Sequence, residues 1–330
     1  MQISKEERIM LISKHEMIRS ALFLFGLVVL IAISSLLFQP KNNNEAYGME
    51  LDHANGILGE QEASLDVLFV GDSVSYCSII PVQIWRDYGL TSYLCSSTMQ
   101  HLYVSKEFME KAFENQSPKL VFLGTATIFN HFTEQEKIWN SLEKNIPVLR
   151  YHDRWKTFTS WPEWKTGLKT EYAHLEIQKG YNYNKGVVGA DIGDTRKPTD
   201  ALEWIPPINK KTVEEIAELC NKNGAKLILV SEPNASGSWA PHRHNAIALL
   251  AEEMGLDYLD LNYMTDEVPI DWATDTFDGG DHLNYSGAQK VTAYLGKYLW
   301  NMGIFEDKRT DKKYESWNEA QKLFYEDIGE

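Results

Sequence analysis

The sequence predicts an α/β fold, one parallel sheet with helices on both faces, preceded by a membrane-spanning helix. Short apolar runs alternate with helical patterns along the chain, and turn residues follow those runs at once. One uncharged stretch near the N-terminus is long enough to cross a bilayer. The 330 residues are 43% hydrophobic and 24% charged, which suits a chain with a sizeable core and not a disordered one.

The uncharged stretch is SALFLFGLVVLIAISSLLF, Ser20 to Phe38. As a helix its 19 residues extend about 29 Å, close to one hydrocarbon thickness. Lys5, Arg8, Lys14 and Arg19 precede it, so the positive-inside rule puts residues 1–19 in the cytoplasm. A cleaved signal peptide is the rival reading. The long charged segment, the length of the apolar run and the lack of a clear small-x-small site favour a retained signal anchor over residues 20–38. Residues 39–63, polar from Lys41 to Ala63, read as a linker, and residues 64–330 as the exported extracellular domain.

Strands are expected at Val67–Val70, Ser92–Cys95, Leu120–Leu123, Leu227–Val230 and Tyr258–Leu261. Helices are expected at Val82–Tyr88, Val104–Asn115, Val213–Asn223, His242–Met254 and Gly287–Met302. Asn223-Gly224 and Met254-Gly255 read as helix stops before the next strand. An insertion of about ninety residues, at about 125–211, separates the third strand from the next helix and is rich in aromatics. Its Trp155, Trp161 and Trp164 are either a subdomain core or a platform on which sugar rings stack. An amphipathic stretch from Tyr314 to Tyr325 reads as a helix packed on the body.

The formal net charge is −15, and the part beyond residue 40 carries −16. That balance excludes nucleic acid as a partner, because such binding neutralises phosphates with Lys and Arg. Cys77, Cys95 and Cys220 do not make a disulfide framework, which in an exported domain this large suggests a bacterial surface protein. His242-x-His244, at the start of an expected helix with no nearby Cys or His, reads as an exposed pair rather than a metal site. Asp271, Asp275, Asp278 and Asp281 do not match the spacing of a calcium loop. VGDSVSYC lacks the glycines of a dinucleotide-binding turn.

Two segments carry chemistry. VLFVGDSVSYC, residues 67–77, puts Ser73 just beyond the carboxyl end of the first strand, where ligands bind in open α/β sheets. DTFDGGDHLNYSGAQKV, residues 275–291, follows the last strand and leads into a late helix. Serine needs a base, usually His, and a carboxylate that holds the imidazole's tautomer. The loop after the last strand can reach over the first, which makes His282 a partner for Ser73.

In Gly71-Asp72-Ser73 and Asp278…His282-Leu283-Asn284, over residues 65–302, the chain resembles the SGNH (GDSL-like) hydrolases. The resemblance implies a flavodoxin-like three-layer α/β/α fold and a Ser–His–Asp triad that hydrolyses or transfers acyl esters without metal or organic cofactor. With its membrane helix and exported domain, the chain is most similar to bacterial cell-surface acyl-transfer proteins of the teichoic-acid D-alanylation and alginate-acetylation types. That implies a surface polysaccharide or teichoic acid as substrate and a membrane-bound O-acyltransferase as a partner.

The family spaces its Asp and His as D-x-x-H, but position 279 is Gly. Asp278 lies four before His282 and Asp281 directly before it; adjacent residues tend to point apart, and Gly279-Gly280 lets the chain loop back, which favours Asp278. Asp275 is a distant third. The family's oxyanion-hole Gly and Asn correspond here to SSTMQH (96–101) and GTATIFNH (124–131). The candidate donors are therefore the Ser73 backbone N–H, a backbone N–H near Ser96 or Ser97, and Gln100, Thr125 or Asn130. A non-catalytic module that keeps the fold and binds polysaccharide is the alternative, though it has no need for Ser73, His282 and an aspartate together.

Overall fold

The computed structural model describes residues 14–160, 170–193, 197–235 and 240–330. The backbone divides into two units, Met1–Lys41 with Ile138–Glu171, and Asn42–Lys137 with Tyr172–Glu330.

In the first unit, α1 runs from Lys14 to Phe38. Its segment Glu16–Phe38 is long and apolar enough to cross a membrane, which an anchor and a signal sequence both satisfy. Leu22, Phe23 and Phe25 are all exposed along it, as lipid-facing side chains would be. The Val148 N–H, in the short α-helix Pro147–Tyr151, donates to Ser35 Oγ, and Arg154 Nη1 donates to Phe38 O. Trp155 is exposed in this unit, while Trp161 and Trp164 lie outside the described residues.

The second unit holds a parallel sheet of β1 (Val67–Gly71), β2 (Ser92–Ser96), β3 (Leu120–Gly124), β4 (Lys226–Ser231) and β5 (Asp257–Asp260). The order is β2-β1-β3-β4-β5, the flavodoxin-like doubly wound arrangement, whose switch point lies between β1 and β3. The central strands β1, β3 and β4 read as nearly continuous apolar runs because both faces are buried. Leu68, Val70, Val121, Leu123, Leu227 and Leu229 face one core; Val67, Phe69, Leu120, Phe122, Ile228 and Val230 face the other. The helices Leu102–Asn115, Pro207–Lys222 and Pro241–Met254 contribute to the first core. Pro81–Tyr88, Tyr285–Asn301 and Glu315–Ile328 contribute to the second. Cys77, Cys95 and Cys220 are free and buried.

The structure corrects several expectations. The segment expected as a linker is packed from residue 42 onward: Asn43, Ala54 and Ile57 are buried. It has few apolar residues, and hydrogen bonds help hold it, the Asn43 side chain exchanging two with the His174 backbone. The aromatic insertion is not one body, since residues 172–193 return to the sheet unit with Lys179 and Tyr181 fully buried. Lys179 Nζ donates to Glu60 Oε1 at 2.6 Å and lies 4.6 Å from the Trp317 ring centroid. The last strand begins and ends one residue earlier than expected.

Candidate active site

Asp72 ends the extended backbone of β1 and caps a one-turn helix, Ser73–Ser78, by accepting from the Val74 N–H. This places Ser73 first in the helix, where its own N–H has no intrahelical acceptor. The sequence pattern implied only a turn here. Burial pushes the Asp72 carboxyl up, against the Val74 N–H and the Asn130 side chain, which favour its charged form.

The histidine arrives from the loop after β5. An antiparallel bridge joins Thr276 to Leu283, and between them Gly279 and Gly280 take φ of +83° and +104°. A non-glycine residue would be strained there, so the glycines close this loop. Thr276 Oγ1 donates to His282 O and accepts from the Gly280 N–H. The fold-back brings Asp278 Oδ1 to the His282 N–H at 2.9 Å and Asp278 Oδ2 to His282 Nδ1 at 2.6 Å. His282 Nε2 then lies 2.8 Å from Ser73 Oγ, and Phe277 stacks against the ring at 5.7 Å. With Nδ1–H donating to the carboxylate, Nε2 is free to accept from the serine hydroxyl.

Of the other aspartates, Asp281 is anchored through its backbone, its carbonyl accepting from Asn234 Nδ2. Asp275 is buried beneath the loop and bonded to Lys290 Nζ and Ser286 Oγ. Burial opposes its charge, but the Lys290 bond, the Asp271 N–H and Ser286 outweigh that and hold its carboxyl below the usual range. Asp275 therefore clamps the loop to the late helix and does not meet the imidazole.

The oxyanion candidates separate. The Gln100 amide nitrogen is committed to Cys95 O and Ser105 Oγ, its oxygen accepts from Ser97 Oγ, and the Thr125 hydroxyl is bonded to Ser231 Oγ. These side chains are spent on holding their own loops. Asn130 is committed likewise: Nδ2 donates to Gln100 O, and the side chain also bonds the Asp72 carboxylate. The Ser96 side chain is buried, and its hydroxyl has no hydrogen-bond partner among the described residues.

Sequence reasoning missed a buried pair that begins two residues after Ser73. Ser75 Oγ donates to Glu232 Oε1 at 2.6 Å, at the carboxyl ends of the strands. A Cβ on Gly71 would sit 1.9 Å from Ser75 Oγ and one on Gly124 2.3 Å from it, so two strand-end glycines clear the space. Those glycines, with Glu232 two residues after the apolar run LILV, were the available signal. The expectation of an exposed histidine pair also fails at His244, which is buried and bonded to Asp260 and the Tyr258 hydroxyl. The helix Pro241–Met254 turns His244 toward β5, a direction that sequence spacing alone did not fix.

No family model matches the chain, and no curated protein does. Among solved structures it is similar to a GDSL-like lipase from Bacteroides thetaiotaomicron, 13% identical over 76% of this chain and 99% of that one, at a TM-score of 0.36. It is also similar to a psychrotrophic esterase from Pseudoalteromonas, 7% identical over 73% and 100% of the two chains, at a TM-score of 0.38. A variant of an acetyl-xylooligosaccharide esterase from Geobacillus is 12% identical over 74% and 96%, at a TM-score of 0.36. Likeness this distant carries no argument about chemistry, which rests on the side chains themselves.

Proposed function

We propose that the chain is a serine-dependent ester hydrolase or O-acyltransferase, acting on acetyl- or D-alanyl-type groups of a cell-surface polysaccharide or teichoic acid. The observation that supports it most is the continuous hydrogen-bonded series from Ser73 Oγ through His282 to Asp278. Ser73 Oγ attacks the acyl carbonyl while His282 Nε2 takes its proton. His282 returns that proton to the departing alkoxide, and an acyl-serine is left. Water or a sugar hydroxyl then attacks the acyl-serine with His282 again as base, and Asp278 keeps the imidazole oriented throughout. The Ser73 N–H and a backbone N–H near Ser96 or Ser97 are the candidates to receive the oxyanion; losing one such donor costs about a hundredfold or more in rate.

The N-terminal apolar helix supports an anchor that holds the domain at the outer membrane surface, beside a membrane-bound O-acyltransferase. A second reading draws on the commitment of Gln100 and Thr125 elsewhere: a catalytically impaired module that binds polysaccharide or supports such an acyltransferase. Labelling of the full chain by a fluorophosphonate probe, with Ser73→Ala as control, separates the two. Labelling that depends on Ser73 is expected; labelling equal in both chains, or none, selects the second reading.

A further inference from the structure

Beside the nucleophile lies a pocket of about 330 Å³, at the small end of the range for small-molecule sites. Asp52, His53, Tyr76, Ser96, Thr98 and Asn182 contribute to its walls. The Tyr76 hydroxyl links it to the catalytic serine, because it lies 3.1 Å from Thr98 Oγ1 and within hydrogen-bonding reach of Ser73. One wall comes from the helical turn Asp52–Asn55, in the segment whose sequence resembled a linker. Ser96 also lines it, and its hydroxyl, itself buried, has no hydrogen-bond partner among the described residues.

The lining decides what fits. A fatty acyl chain would strip water from the side chains of Tyr76, Ser97, Thr98 and Asn182 and give nothing in return. An anionic group would meet the Asp52 carboxylate; the lining contains no Lys or Arg, and its imidazole, His53, is already paired with Glu176. Hydroxyls that both donate and accept match a ligand that does the same. We propose that this pocket is the subsite for the alcohol portion of the ester, a neutral polyhydroxylated ring about the size of one hexose. The inference rests on the esterase reading above, and extends it from acyl transfer in general to a sugar ester entering with its ring on the Tyr76–Thr98 side of Ser73.

The test compares kcat/KM of the full chain in detergent for acetylated glucose and for nitrophenyl acetate. In Thr98→Val and in His53→Gln, the sugar-ester to nitrophenyl-ester ratio is expected to fall about tenfold, through KM. Thr98→Ser, which keeps the hydroxyl, restores it. An unchanged ratio in both variants overturns the proposal. A second arm does not need turnover: methyl glucoside is followed by saturation-transfer NMR on the Ser73→Ala chain. Transfer that disappears when Thr98→Val is added supports the subsite; no transfer, or transfer that survives, overturns it. Absence of Ser73-dependent nitrophenyl acetate hydrolysis would defeat the esterase reading while the binding arm still decides the pocket.

Discussion

Replacing Glu232 by glutamine should make the protein more stable at neutral and alkaline pH and leave the acid limb unchanged. The Glu232 side chain is enclosed at the strand ends, and burial pushes its carboxyl up from 4.5 to about 7. The Ser75 bond and its own backbone N–H oppose that rise, and the Asp72 carboxylate adds to it. A carboxyl raised on folding contributes its stability in full below the unfolded value. That contribution is lost as pH rises from about 4.5 through about 7, and the loss is constant beyond. At about 1.4 kcal/mol for each pH unit of separation, the loss is about 3 kcal/mol. Glutamine keeps an oxygen for the Ser75 hydroxyl and does not ionise. The stability difference, Glu232→Gln minus wild type, should therefore grow by about 3 kcal/mol between about pH 4 and about pH 8. Urea unfolding followed by tryptophan fluorescence reads it, since Trp85 and Trp317 are fully buried in this unit. Taking the difference between chains cancels every other titrating group. A difference flat to within about 1 kcal/mol across that window would refute the reasoning.

The remaining predictions concern the same frame. Asp278→Asn should lower nitrophenyl acetate turnover by about a thousandfold or more, while Asp281→Asn stays within about threefold; equal losses would defeat the assignment of the carboxylate. Lys179→Met leaves Glu60 buried and unpaired, which should cost about 3–5 kcal/mol in urea unfolding, and adding Glu60→Met should recover most of it. Gly71→Ala drives a methyl to 1.9 Å from Ser75 Oγ, so thermal unfolding should report a loss of about 1–3 kcal/mol; an unchanged midpoint would mean that Ser75 simply turns away.

Most of the sheet was legible in the sequence because β1, β3 and β4 are short apolar runs buried on both faces and followed by turn residues. The membrane-length helix was legible for a similar reason: length and lack of charge are local properties. Ser73 and His282 could be paired before any coordinates, because strand order and chain direction bring the two loops to one end of the sheet. The linker expectation failed because residues 42–59 are held by side-chain to backbone bonds across more than a hundred residues, which leave no periodic trace. His244 failed likewise, since the spacing of a helix says which residues share a face and not which face meets the sheet.

By itself the sequence determined the order of strands and helices, the apolar N-terminal span, and the residue types able to make a nucleophile and a base. Tertiary structure decided how far Asp278 folds back across Gly279-Gly280, that Asp275 serves Lys290 instead, and that Glu232 is buried against Ser75, where burial disfavours its charge. Local propensity acts over a few residues, whereas the roles of Asp275 and Glu232 depend on groups 15 and 157 positions away that come within 3 Å of them.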